Sequence, residues 1–240
     1  MDLGTRTSGA DLRGATVLVP LGALEQHGAH LPLRTDSAVA RAVSDAVAGR
    51  LDDRPVLVAP VVEYGASGEH EDFPGTVSIG TEALVHLVVE LVRSVRRWCG
   101  PVVLVTGHGG NAEALDRAVG QLRRESHDVA WTSCAEPGWD AHAGRAETSL
   151  LLALEPDTVR MDAAAAGPVE PVAALLPRLR AGGVAAVSPG GVLGDPVGAT
   201  AEEGEDLLER LVDRVTRQVR SGLVDDAGRL LRPTSSEVPA

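Results

Sequence analysis

The apolar positions of the chain fall into two kinds of run. Short Val-rich stretches at 16–20, 56–62, 102–106, 129–134 and 184–188 predict strands, and such continuous apolar runs fit a mostly parallel sheet covered on both faces. Longer stretches with apolar residues three and four apart predict helices over 36–49, 81–98, 111–125, 145–154, 171–180 and 201–220. The last helix is the best marked. Thr200 and Glu203 have the spacing of a capping box, Leu207, Leu208, Leu211 and Val215 make one face, and Gly222 stops it. Strands and helices in alternation place the chain in the α/β class.

Four polar, glycine-rich connections follow strands, at 22–35, 63–80, 107–111 and 188–199. In an open α/β sheet ligands bind at the carboxyl ends of the strands, so the chemistry is expected in these connections. No internal repeat or long linker divides the 240 residues. That predicts a single domain with an ordered core over about 13–224 and loosely ordered ends at 1–12 and 225–240.

Composition narrows the functions open to such a domain. Aromatic residues make up 2% of the chain and the formal charge is −12, so both stacking platforms and a basic surface are missing and no nucleic-acid partner is expected. All 22 basic residues are Arg. Without lysine there is no Schiff-base nucleophile, no pyridoxal anchor and no P-loop. Cys99 and Cys134 form neither a metal-spaced cluster nor a disulfide framework, which fits a reducing cytoplasm. The N-terminal segment lacks an apolar signal region, and no run reaches about 18 uninterrupted apolar residues, so neither export nor a membrane partner is expected.

In the first connection Glu25 and His27 are two apart, so in extended chain both side chains lie on one side, and Asp36 follows at the start of a helix. Two carboxylates and an imidazole suit a divalent ion such as Zn, Mn or Fe. An N-capping role for Asp36 and a solvated loop position for Glu25 compete with that reading. In Thr106-Gly107-His108-Gly109-Gly110-Asn111 three glycines turn the backbone tightly and present His108, and Asn111 is placed to cap the next helix. The same stretch matches G-x-G-x-x-A through Gly107, Gly109 and Ala112, with Glu136 as ribose partner, which is the dinucleotide-binding oxidoreductase alternative.

Further on, Glu147 lies in the first turn of a helix, where the macrodipole already favours a carboxylate, and His142 precedes that helix, free to face a pocket. The loop 65–76 reads either as a substrate-facing lid, with His70 or Glu69 as polar contacts, or as an acidic surface loop. His30 reads as a supporting histidine, and His86 and His127 as surface or packing residues.

The segments EQHGAHLPLRTD, GEHEDFPGT, TGHGGN and HAGRAETS, in this order between Glu25 and Ser149, resemble the creatininase family of metal-dependent amidohydrolases. The resemblance implies a three-layer α/β/α sandwich with a mainly parallel sheet, two divalent metal ions per subunit (Zn, Fe or Mn) and a hexamer-like homo-oligomer. It implies Glu25, His27, Asp36, His108 and Glu147 as ligands, with Asp36 bridging, Glu25 and His108 completing one metal, and His27 and Glu147 the other. A hydroxide between two such ions is a nucleophile at neutral pH, and His142, unligated, is the expected proton donor to the leaving amine. His70, Glu69 and Arg145 are the expected substrate contacts.

This chain departs from creatininase proper at Gly110, where that enzyme has a glutamate ligand, and at Thr106, where many relatives have Asn. Within the family, GASGEHEDFPGTVSIG, DAHAGRAETSLLLALEP and SPGGVLGDPVGATAEEG resemble a peptidase branch that removes a C-terminal Val-Tyr dipeptide from a modified precursor peptide. The alternative within the family is a hydrolase of cyclic amides or formamides.

Overall fold

In the computed structural model, which describes residues 1–8 and 12–233, four strands run parallel in the order β2-β1-β3-β4. They are β1 (Thr16–Leu21), β2 (Val56–Val58), β3 (Val102–Thr106) and β4 (Val129–Ser133). Six α-helices accompany them: α1 (Thr35–Arg50), α2 (Gly80–Val95), α3 (Ala112–Arg124), α4 (Arg145–Leu154), α5 (Val172–Gly182) and α6 (Ala201–Ser221). The pleat sends alternate strand residues to opposite sides. Leu18, Val103, Val105 and Ala130 pack under α1, α4 and α6, whereas Val17, Val19, Leu104 and Trp131 pack under α2 and α3. Both faces are therefore covered, which explains the unbroken apolar strands. The result is the expected α/β sandwich.

The chain leaves β1 through α1 to β2 on one side, then crosses to β3 on the other. The strand order thus reverses between β1 and β3, and the connections after these strands diverge there, opening the crevice where open α/β sheets bind ligands. Glycine lets α1 sit against that crevice. A Cβ on Gly22 would stand 2.6 Å from the Ser37 nitrogen, and one on Gly107 2.2 Å from the Asp36 carbonyl oxygen.

Several expectations need correction. Residues 184–188 form a turn, not a strand. They follow Gly183 at φ 66°, and the Val187 and Ser188 amides fold back on the Val184 carbonyl, putting Val184 and Val187 into a small cluster with Leu175 and Leu193. Of 56–62 only the first three residues form a strand: Pro20, the next residue of β1 that faces β2, has no N–H to donate, and beyond Ala59 the Pro20 carbonyl accepts from Val62 out of register. The described parts of the two ends pack against the sheet. Val58 donates to the Met1 carbonyl, and residues 228–230 pair with Trp131, with the Arg229 guanidinium 5.0 Å from the Trp131 ring centroid. Residues 9–11 and 234–240 of those predicted ends lie outside the described residues. The capping box is half formed: Thr200 Oγ1 accepts from the Glu203 amide at 3.1 Å, while the Glu203 carboxylate turns to Arg145 and Ser149. Gly222 ends α6 in the left-handed conformation, as predicted.

The α4–α6 seam is close because Gly204 has no side chain; a Cβ there would stand 1.9 Å from the Ser149 carbonyl oxygen. Gly204→Ala gains up to about 1 kcal/mol of helix propensity but overpacks the seam at a cost of about 1–3 kcal/mol. A lower urea midpoint at unchanged slope is the expected result. Gly49→Ala in α1, where a Cβ meets nothing within 4 Å, is expected to raise the midpoint.

Candidate metal centre

Four connections and the first turns of two helices bring the ionisable residues together. Glu25, Gln26 and His27 come from the segment after β1, Asp36 from the first turn of α1, His108 from the tight turn after β3, and Glu147 from the first turn of α4. His70 ends a short 3-10 helix, Gly68–His70, and His142 is fixed by paired backbone hydrogen bonds with Leu193 at 2.8 and 3.1 Å. Glu25, His27, Asp36, His70, His108 and His142 are all buried, with Glu25 and His27 at 0% exposure, and Glu147 is partly exposed.

The distances divide this group into two halves that share Asp36. His27 Nε2 lies 3.4 Å from Asp36 Oδ1 and 4.0 Å from Glu147 Oε2. His108 Nδ1 lies 3.6 Å from Asp36 Oδ2 and 3.1 Å from Glu25 Oε1. Each of these rings turns its other nitrogen to a backbone carbonyl: His27 Nδ1 to the Glu25 oxygen at 3.2 Å and His108 Nε2 to the Ala66 oxygen at 3.2 Å. A carbonyl only accepts, so those nitrogens carry hydrogen and the inward nitrogens of the neutral rings are bare. Both Glu25 oxygens, Asp36 Oδ2 and His27 Nε2 are buried without a hydrogen-bond partner. Glu25, His27 and Asp36 offer ligand atoms within 4.8 Å of one another, as do His27, His142 and Glu147. Bare imidazole nitrogens facing unbonded carboxylate oxygens fit borderline divalent ions.

Burial works against every charge in the group, and the outcome differs by neighbour. It pushes Glu25 up to about 7 against the pull of His108, and it raises Glu147. It brings His70 down to about 4 and His142 well below the usual imidazole value, helped by His108 in the first case and His27 in the second. For His27 and His108 burial is overcome by carboxylates, Asp36 holding His27 up at about 9 and Glu25 holding His108 well above its ordinary value. Asp36 is lowered, since His27 outweighs its burial. Without a metal, protons on His27 and His108 therefore balance the carboxylates.

Not every expected site residue joins the cluster. Glu69 does, with Oε1 3.5 Å from His108 Nε2. The lid loop is in part interior, since it carries His70 inward and its Glu69 carbonyl accepts from Val184. Arg145 does not join: its Nε is held by Glu203 at 2.8 Å, and its side chain is half exposed, so its placement gives no support to a substrate contact. His30 is a support, bonding Thr148 Oγ1 at 3.0 Å.

The dinucleotide reading fails on the same geometry. Gly107 is needed for the approach of α1, His108 at the second motif position turns into the carboxylates, and Glu136 is paired with Arg214 and Arg232. Asn111 stands at the N-cap of α3 but makes no cap bond. Its amide instead donates to the Gly22 carbonyl and Thr106 Oγ1 and accepts from the Ala66 amide at 2.8 Å, tying three connections together. Sequence reasoning missed that role, and it also missed Gln26. Both are uncharged amides whose partners are distant in sequence; the only local hint was their position inside the site motifs.

The creatininase family model, described as creatinine amidohydrolase, matches residues 5–219. A mycofactocin precursor peptide peptidase of Mycolicibacterium smegmatis is 52% identical over 217 residues, covering 89% of this chain and 88% of that protein. The chain belongs to the creatininase family. Among solved creatininases, a mutant of the Zn-Zn type superposes with a TM-score of 0.75 at 30% identity, covering 91% of this chain and 96% of the other. One described as creatininase Mn gives 0.74 at 29% identity, covering 91% and 97%. Membership of the creatininase family makes the chain a hydrolase of C–N bonds. No helix among the described residues is long and apolar enough to cross a membrane.

An ion entering between His27 and Asp36 displaces the proton that the carboxylates hold on the ring. Apparent affinity for Mn²⁺ is thus expected to rise from neutral pH to about 9 and flatten above, by roughly tenfold per pH unit for each proton displaced. Calorimetric titration in two buffers of different ionisation enthalpy measures the protons released; a pH-independent affinity with none released contradicts this balance.

Proposed function

We propose that this creatininase-family chain is a metal-dependent peptidase that removes the C-terminal Val-Tyr dipeptide from the modified mycofactocin precursor peptide. The observation that carries the substrate is the 52% identity, over 89% of the chain, to a protein named for cleaving that precursor. A feature of this chain's own turn supports the peptidase branch over creatinine. A Cβ on Gly110 would stand 2.3 Å from His108 Nε2, 2.5 Å from Glu69 Oε1 and 2.7 Å from the Ala66 carbonyl oxygen. The position that holds a glutamate in creatininase proper is closed here to any side chain, and Glu147 stands near His27 instead.

Two divalent ions, of zinc, iron or manganese, supply Lewis acidity and a nucleophile from water at neutral pH when bound. Glu25 and His108 would hold one and His27 and Glu147 the other, while Asp36, whose two oxygens already face different histidines, would serve both. His142 Nδ1, 3.7 Å from Glu25 Oε1, stands where it can pass a proton to the leaving amine. His70 and Glu69 border the same space and would contact the peptide. Burial of these groups removes competing water, so proton transfers stay between fixed partners.

The test is mass spectrometry of the modified precursor peptide after incubation with metal-loaded and with chelator-treated protein. Release of Val-Tyr by the loaded protein alone is the expected result. Intact peptide in both, with two metals per chain measured, overturns the peptidase reading and redirects the assay to cyclic amides and formamides.

Glu147→Ala is expected to lower the metal content from two ions per chain to one. Cleavage is expected to fall about 100-fold or more, since changing a group that only supports a ligand already costs about 10- to 100-fold. Two tightly held ions in that variant would remove Glu147 from the ligand set.

A further inference from the structure

Gln26 lies between two ligands and its side chain points away from them, into the space between His70, His142 and the 188–193 turn. Its amide orientation is fixed, because Oε1 accepts from the Gly28 amide at 2.8 Å. Nε2 is then the donor, with three groups in reach: the Gly191 carbonyl at 3.0 Å, His70 Nδ1 at 2.8 Å and His142 Nε2 at 3.0 Å. An amide nitrogen has two hydrogens for these three. One belongs to the Gly191 carbonyl, which only accepts. His142 is excluded as the second acceptor, because its Nε2 also lies 2.7 Å from the Gln26 backbone carbonyl and bonds it only by donating. The remaining hydrogen goes to His70 Nδ1, which is therefore bare.

We infer that Gln26 is a positioning residue that fixes both His70 and His142 as the Nε2–H tautomer, so that His70 offers a hydrogen to the site and neutral His142 offers an empty Nδ1. His70 Nε2 faces Glu25 Oε1 at 3.4 Å, and His142 Nδ1 faces the same oxygen at 3.7 Å. The two rings, 4.4 Å apart between centroids, thus take opposite roles although they have the same side chain. His70 is a hydrogen-bond donor and, with no inward lone pair, not a metal ligand. His142 begins as an acceptor. In amide hydrolysis the water oxygen bonds to the carbonyl carbon and one water proton passes to His142 Nδ1. The C–N bond then breaks and the same nitrogen delivers that proton to the amine. The second water proton leaves with the carboxyl product as it ionises.

The ring hydrogens are independent of the substrate, whereas their catalytic consequence rests on the peptidase reading. Neutron diffraction from zinc-loaded, deuterium-exchanged crystals of the wild-type protein locates the hydrogens directly. Deuterium on Nε2 of both rings and none on Nδ1 is expected; Nδ1–D on either ring overturns the inference, whatever the substrate proves to be. In Gln26→Glu and Gln26→Leu, kcat for the precursor peptide is expected to fall about 10- to 100-fold with KM and zinc content within about twofold of wild type. Undiminished kcat with zinc retained also overturns it. If wild type itself leaves the peptide intact, the peptidase reading fails and the neutron map still decides the tautomers. If the variants lose zinc or fail to fold, the wild-type map alone decides.

Discussion

Glu25 and Asp36 are carboxylates taken out of water with oxygen atoms that no protein group bonds, a condition that costs several kcal/mol per charge unless cations compensate. Much of the local architecture is arranged around that debt of positive charge. His27 and His108 supply it as imidazoliums when no metal is present, held well above their ordinary pKa by the carboxylates they face. Bound divalent ions would supply more of it and free the rings to act as neutral donors of electron pairs. The carboxylates reach such depth only because glycine stands at the ends of β1 and β3, where a Cβ at Gly22 or Gly107 would push α1 and Asp36 away. The constraint therefore runs from backbone packing to chemistry.

Around the charged groups lies a layer of neutral amides that fixes geometry without adding charge. Asn111 joins the β1, β3 and 63–80 connections, and Gln26 joins two histidines to the 188–193 turn. Neutral groups suit this place. A further carboxylate there would deepen the uncompensated negative charge, and a further cation would compete with the metals. With these partners in place, hydrogen positions on the rings follow from acceptor-only carbonyls, so the site is organised before substrate arrives.

The apolar pattern made the α/β sandwich legible because every strand of the sheet is buried on both faces. All six α-helices lie near their predicted spans, and α4 has the predicted bounds. The 184–188 run misled for a physical reason: Val184 and Val187 are three apart and serve a turn, a pattern too short to separate from a strand by periodicity. In the site, Glu25, His27 and Asp36 were legible from spacing after a strand. The joining of His108 and Glu147 to them came from the family resemblance, since the 38 residues between the two carry no spacing signal. Arg145 was named for its place in a motif, yet the helix turns it toward Glu203 and α6. The amides were invisible because their function is a set of distances between segments far apart in the chain.

The turn after β3 has no room for a side chain at Gly110. Here the space that a side chain at 110 would enter is taken by Glu69 and by the His108 ring, which bonds the Ala66 carbonyl. Glu69 belongs to the 63–80 connection, so the turn after β3 and that connection have to change together. A carboxylate at 110 requires Glu69 to leave; Glu69 beside His108 requires glycine at 110. The carboxylate beside His27 on the other half comes from α4, where Glu147 gains from the helix N-terminus and from the Ala143 amide that donates to it at 2.6 Å.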